Sequence, residues 1–151
     1  LPYPITFAVL PTLKFTHYSA QQIVQHNQEL LLHLPLEPLN YVPTAGDYII
    51  STKMDNSEIQ SRLDRYINSV GKIAGINNHM GSYYTQDANK MRVLLARIKD
   101  RNLFFLDSHT IPNTVGKQIA DELKLPCLVN NVFIDHIDTP EAIINEFSQL
   151  C

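Results

Sequence analysis

The chain has 151 residues, 44% of them hydrophobic and 18% charged, with a formal net charge of -3; that is enough apolar material for one core and argues against disorder. A pI near 6.0, with no Lys/Arg cluster longer than a pair, argues against nucleic acid or anionic lipid as the main partner. The longest apolar runs, such as Leu30 to Leu32 and Leu103 to Leu106, fall far short of the ~18 to 20 residues that cross a bilayer, so no membrane span is expected.

The chain begins at Leu1, with no basic start leading into an apolar stretch, and a processed or trimmed start is expected. Apolar runs and helical periodicity then alternate. They predict a strand at Thr6 to Leu10, a helix at Ser19 to Asn27 and a strand at Glu29 to Leu34, followed by a long loop. A helix at Ser57 to Val70 and a strand at Lys72 to Asn77 come next, then a helix at Gln86 to Arg101 and a strand at Leu103 to Asp107. The last elements are a helix at Thr114 to Leu125, a strand at Cys127 to Asp135 and a helix at Pro140 to Leu150. Each helix has a face to bury: Ile59, Leu63, Ile67 and Val70 in one, Met91, Leu94, Leu95 and Ile98 in the next, and Ile143, Ile144 and Phe147 in the last. Thr85 and Thr139 are expected N-caps, with Pro140 in a first turn that does not need its N–H.

Strands that are apolar throughout are covered on both faces, which with helical crossovers means a mostly parallel sheet. The expected class is α/β, with about five β/α units in one domain. Five strands are too few for the usual eight-stranded barrel, so the sheet is either open or part of a larger β/α domain. The break from Pro35 to Met54, punctuated by Pro35, Pro38, Pro43 and Gly46, has the length of a binding or lid loop. Cys127 and Cys151 show no metal-like spacing and read as a buried thiol and a frayed end.

Four of the six histidines, His33, His79, His109 and His136, follow apolar strand-like runs, and Glu37, Asp107 and Asp135 stand beside them. In α/β folds that edge holds the site, and nitrogen and oxygen donors there suit a divalent metal. In His33-Leu-Pro-Leu-Glu37, Pro35 forbids a shared helical face, so the pair meets by a turn; it either touches a metal or substrate, or is a loop histidine beside a glutamate bonding the turn's own amides. The segment from Asn77 to Ser82, Asn-Asn-His-Met-Gly-Ser, crowds two amides, an imidazole, a glycine and a hydroxyl into one strand exit. Asn77, Asn78 and Ser82 there suit hydroxyl-rich ligands, the alternative being a tight turn whose side chains bond locally. Asp107 reads as a general base, as an acceptor that orients a metal-bound imidazole, or as a cap of the following turn. Asp135 points toward the same rim. There is no Gly-rich phosphate loop, no Gly-x-Ser-x-Gly elbow and no base beside either cysteine, which removes nucleotide binding and cysteine catalysis.

In these residues the chain resembles the divergent polysaccharide deacetylases, relatives of the metal-dependent carbohydrate esterases. The matching segments run in order: Ile5 to Pro11, His33 to Pro38, Asn77 to Ser82, Phe105 to Ser108 and Val132 to Asp135. The resemblance implies a distorted β/α barrel, here expected to lack its first strand, which ends in paired aspartates, and its last, which ends in Gly-His-Pro. It implies metal-assisted hydrolysis of an N-acetyl group on an amino sugar. Zn²⁺ or another divalent ion would be held by His79 with His33 and Glu37, Asp107 would serve as base or orienting group, and Asn77, Asn78, Ser82 and Asp135 would face the substrate. The implied partner is a carbohydrate and the implied location the periplasm or cell envelope. The alternatives are a non-catalytic glycan- or envelope-binding module on the same fold, and a purely structural subunit.

Overall fold

A computed structural model describes residues 3–42 and 48–150; the expected loop breakers Pro43 and Gly46, and Cys151, lie outside the described residues. The elements run β1 (Thr6–Val9), α1 (Thr16–Gln25), β2 (Glu29–Leu36), α2 (Asn56–Val70), β3 (Gly75–Met80), α3 (Ala88–Asp100), β4 (Phe104–Asp107), α4 (Gly116–Leu123), β5 (Cys127–Val129) and α5 (Pro140–Leu150). The strands form one sheet in the order β1-β2-β3-β4-β5, and every pairing is parallel. This is the α/β fold of five β/α units that the periodicity predicts. Strands β1 and β5 stand at opposite edges, so the described sheet is open and not closed into a barrel.

Alternation along the strands assigns the two faces. Leu30, Leu32, Leu34 and Leu36 of β2, Ile76 of β3 and Phe105 of β4 share one buried cluster with Ile59 and Leu63 of α2, Leu94 and Ile98 of α3 and Ile119 of α4. That face is the core. The intervening residues, among them Leu31, His33 and Pro35 of β2 with Gly75, Asn77 and His79 of β3, occupy the other face in register. Gly75 is required there because the Phe104 ring lies across it; an added Cβ would sit 2.8 Å from the ring carbons. Pro35 is tolerated inside β2 for a local reason. Its carbonyl accepts from the Ile50 N–H at 2.9 Å, so its nitrogen faces the side where β1 has already ended, and no ladder bond is lost.

Side chains cut the starts of α2, α3 and α5. Asp55 caps α2 in a reciprocal box, accepting from the Glu58 N–H while Glu58 accepts from the Asp55 N–H, both at 2.8 Å. The cap of α3 is Asp87, whose carboxylate accepts from Asn89 and Lys90 N–H at 3.0 Å. The expected cap Thr85 is instead buried with its hydroxyl donated to the Gly81 carbonyl, one 3-10 turn too early. Thr139 does accept from the Ala142 N–H.

Several expectations shift, among them the end of β2, which runs past Leu34 to Leu36 into the expected loop, and the start of α1, at Thr16 instead of Ser19. Strand β3 starts three residues later than Lys72 and continues through His79 to Met80, because β2 supplies ladder partners as far as Leu36. Strand β5 stops at Val129 instead of Asp135, because its one neighbour, β4, ends opposite it at Asp107. Helix α5 forms where expected, but Ile144 and Phe147 remain 66% and 56% exposed, so its apolar face is not buried against the described residues.

Candidate functional site at the carboxyl edge of β2 and β3

The register pairs His33 with Asn77 and Pro35 with His79, so two imidazoles from adjacent strands meet on the face away from the helices. Their rings pack edge to face with centroids 4.9 Å apart, and His33 Nε2 lies 3.1 Å from His79 Nδ1. On its other side His33 Nδ1 is 3.0 Å from Asn77 Oδ1. The Asn77 amide nitrogen donates to Ser108 Oγ at 3.4 Å, and the Ser108 hydroxyl donates to the Asn78 carbonyl at 2.7 Å. Burial depresses the pKa of His33, with the His79 charge adding to it and the Asn77 bond opposing it; burial also depresses that of His79. Both rings therefore favour the neutral form that ligates metals.

The pair fits a metal on spacing. Two nitrogens held at about 2.0–2.1 Å by one ion sit about 3.3–3.4 Å apart in tetrahedral geometry and about 2.9 Å apart in octahedral; the observed 3.1 Å falls between. Among the described residues no group of three or more His, Cys, Asp and Glu comes together. The chain thus presents two candidate donors at one point.

The other expected site residues go elsewhere. Glu37, 7% exposed, accepts through Oε2 from the Ser51 hydroxyl at 2.9 Å, the Thr52 N–H at 2.7 Å and the Thr52 hydroxyl at 2.8 Å. Its carbonyl also accepts from Tyr83 and Tyr84 N–H, so one residue ties β2 to the loop before α2 and to the exit of β3. Burial opposes its ionisation, but the Thr52 and Ser51 bonds and nearby Lys53 outweigh that and lower its pKa. Asp107, fully buried, points to the helix side toward Gly116, where an added Cβ would overlap its carboxylate. It accepts from the His109 N–H at 2.9 Å and the Thr114 hydroxyl at 2.7 Å. Asn78 also belongs to the helix-side parity and spends its amide on the Met80 carbonyl and the Ser108 N–H. Ser82 accepts from the Leu39 N–H. Asp135 is exposed in a turn that follows the end of β5 at Val129.

The structure therefore brings together His33, His79 and Asn77, and it adds Ser108, to which the sequence reading gives no site role. Strand parity supplies the signal for it. Residue 108 has the parity of Leu106, which pairs with Asn77, whereas 107 has the parity of buried Phe105. Cys127 is no nucleophile, because burial, with Asp107 adding to it, pushes its thiol up to about 11. No helix among the described residues is long and apolar enough to cross a membrane.

The depressed groups fix a pH prediction. The unfolded histidines take up protons below about 6.5, where the folded rings resist them, so stability falls as pH drops from there toward the folded values. The Glu37 contribution is complete above the unfolded value of 4.5 and is lost as pH falls through the lower folded value. Urea midpoints are expected to decline from pH 7 to pH 5. The decline between pH 6.5 and 5.5 should flatten in His33→Gln/His79→Gln; an unchanged slope there would rule out the buried pair as its source.

A parallel sheet with paired imidazoles at its carboxyl edge defines an α/β scaffold with a rim site. The chain belongs to the divergent polysaccharide deacetylase family, whose model matches residues 1–151. It is 30% identical over 135 residues to an uncharacterized protein of Haemophilus influenzae, covering 89% of this chain and 48% of that one. It is 31% identical over 149 residues to the uncharacterized protein YibQ of Escherichia coli, covering 99% and 46%. The chain thus spans about half the length of these curated relatives. The crystal structure of an uncharacterized protein of Agrobacterium tumefaciens C58 superposes with a TM-score of 0.93 at 22% identity, covering 99% of this chain and 61% of that one. The deacetylase-like fold follows.

Proposed function

We propose that this chain carries part of the site of a metal-dependent deacetylase acting on an N-acetyl amino sugar. The observation that carries the reading is the His33–His79 pair, two neutral imidazole nitrogens 3.1 Å apart at the edge where α/β enzymes act. His33 and His79 would hold a Zn²⁺ or similar divalent ion. Such an ion, when bound, polarises the acetamide carbonyl and acidifies water. The paired aspartates that the resemblance implies ahead of the first matched segment would supply the further donor and the base that this reading needs. Glu37 and Asp107 serve the site by fixing strand ends, Glu37 from β2 and Asp107 by holding the loop that carries Ser108.

A groove of about 570 Å³ beside His33, lined among others by Leu10, Leu13, Lys14 and Phe15, has the size of a small-molecule site. Phe15 and nearby Tyr18 are 61% and 63% exposed, which supports contact with the apolar face of a sugar ring. Phe15→Ala is expected to raise KM for a chitooligosaccharide about 3- to 10-fold, a loss of about 1 kcal/mol, with zinc affinity unchanged. An unaltered KM would place the sugar elsewhere.

The test of the reading is elemental analysis of the purified protein together with acetate release from chitooligosaccharides and peptidoglycan fragments. Stoichiometric zinc with turnover supports the enzyme. Glycan binding without metal or turnover supports the second reading, a binding module on the same fold. The envelope location is proposed from the family's carbohydrate chemistry.

A further inference from the structure

Beyond the metal reading, and resting on it only for its consequence, the geometry points to Asn77 and Ser108 as positioning residues that fix the tautomer of His33, keeping its proton on Nδ1 and presenting the Nε2 lone pair to the rim. The argument is a count of protons along one chain of bonds. The Asn78 carbonyl only accepts, so the 2.7 Å contact uses the single proton of the Ser108 hydroxyl. Toward Asn77 the Ser108 oxygen is left as an acceptor, which requires the amide NH2 on that side. Asn77 Oδ1 then faces His33 Nδ1 at 3.0 Å and, being an acceptor only, requires the proton on Nδ1. A neutral ring protonated at Nδ1 has its lone pair on Nε2.

Ser108 is itself anchored, its N–H donating to Asn78 Oδ1 at 2.8 Å, so the relay starts from backbone and a buried amide. It has a consequence for His79. Without an ion, His79 Nδ1 must donate its proton to His33 Nε2, the 3.1 Å contact between them. When both nitrogens ligate one ion, His79 must move that proton to its own Nε2, while His33 keeps the tautomer it already has. The two histidines are therefore unequal: one is preset and the other switches. Outer partners of this kind are worth about 10- to 100-fold in metal affinity.

The test is long-range proton–nitrogen correlation NMR on the full chain, ¹⁵N-labelled and metal-free at pH 7.5, with cobalt(II) and zinc(II) titrations of the same samples. Wild type is expected to show His33 protonated at Nδ1. Asn77→Leu and Ser108→Ala should give a mixed or reversed tautomer. Asn77→Asp, which keeps an acceptor facing Nδ1, should restore the wild-type signature. Cobalt(II) is expected to bind about 10- to 100-fold more weakly to Asn77→Leu and within about 3-fold of wild type to Asn77→Asp. A wild-type His33 protonated at Nε2, or an Asn77→Leu protein with wild-type spectrum and affinity, overturns the assignment. The metal-free spectrum separates the two ideas. A preset His33 in a protein that binds neither ion sinks the metal reading and leaves the relay standing, whereas tight binding with a reversed tautomer sinks the relay alone.

Discussion

Replacing His79 with alanine is expected to weaken zinc binding by more than about 100-fold, above the 10- to 100-fold cost of losing an outer partner, and to reduce acetate release to background. His33 and His79 are the two candidate donors that meet at one point among the described residues, so His33→Ala should behave alike. Stability should move the other way or not at all. Both rings are partly buried, and burial lowers the pKa of both, so trimming one removes an imidazole held out of water and spares the core cluster on the opposite face. Thermal midpoints are expected within a few degrees of wild type, since sites tuned for chemistry commonly cost stability. Isothermal titration with zinc beside differential scanning calorimetry decides it. Zinc affinity retained in both single variants would remove the pair from the chemistry.

Asp107→Ala is expected to do the reverse, its main cost falling on stability. The side chain is fully buried, and its two oxygens accept from the His109 N–H and the Thr114 hydroxyl. Removing it strands both donors and opens a void against Gly116, for a loss of about 2–4 kcal/mol by urea denaturation. Gly116→Ala should destabilise by a similar route, because its methyl group has no room beside the carboxylate. Asp107→Asn keeps one acceptor oxygen and should lie between. Its zinc affinity is expected to stay within about 3-fold of wild type, because the carboxylate faces the helices and the imidazoles face away. Lost turnover in Asp107→Asn at wild-type stability would return Asp107 to the role of base.

The architecture was legible because each unit carried its own signal. Leu30 to Leu32 and Phe104 to Leu106 read as buried strands, and Ile59, Leu63, Ile67 and Val70 read as one helical stripe. Strand ends were less legible, since a strand is as long as its neighbour allows. Asn77, Asn78 and His79 look like loop residues, yet they extend β3 because β2 reaches Leu36, while Val132 to Ile134 look like strand but find no partner there. The candidate site was half legible. His33 and His79 stand out by their place after apolar runs, but their contact depends on a register 46 residues apart, which helix and loop lengths set. Glu37, Asn78 and Asp107 stand at similar strand exits and are spent on local backbone and hydroxyl bonds instead. What separates the two groups is parity for Asn78 and Asp107, which share a face with Ile76 and Phe105, and for Glu37 the hydroxyls of Ser51 and Thr52, supplied by a distant loop.

The two banks of this rim are built to different standards. On the β2 and β3 side, Glu37 rivets three segments through its main chain and its carboxylate. On the α1 side, the stretch from Leu13 to Phe15 is pinned chiefly by Thr16, whose hydroxyl donates to the Leu10 carbonyl and accepts from the Leu13 N–H. On the proposed reading, substitutions in that second bank would reshape which molecule is admitted while the nitrogen spacing opposite stays put. Descendants of such a scaffold can therefore diversify in taste without rebuilding their anvil.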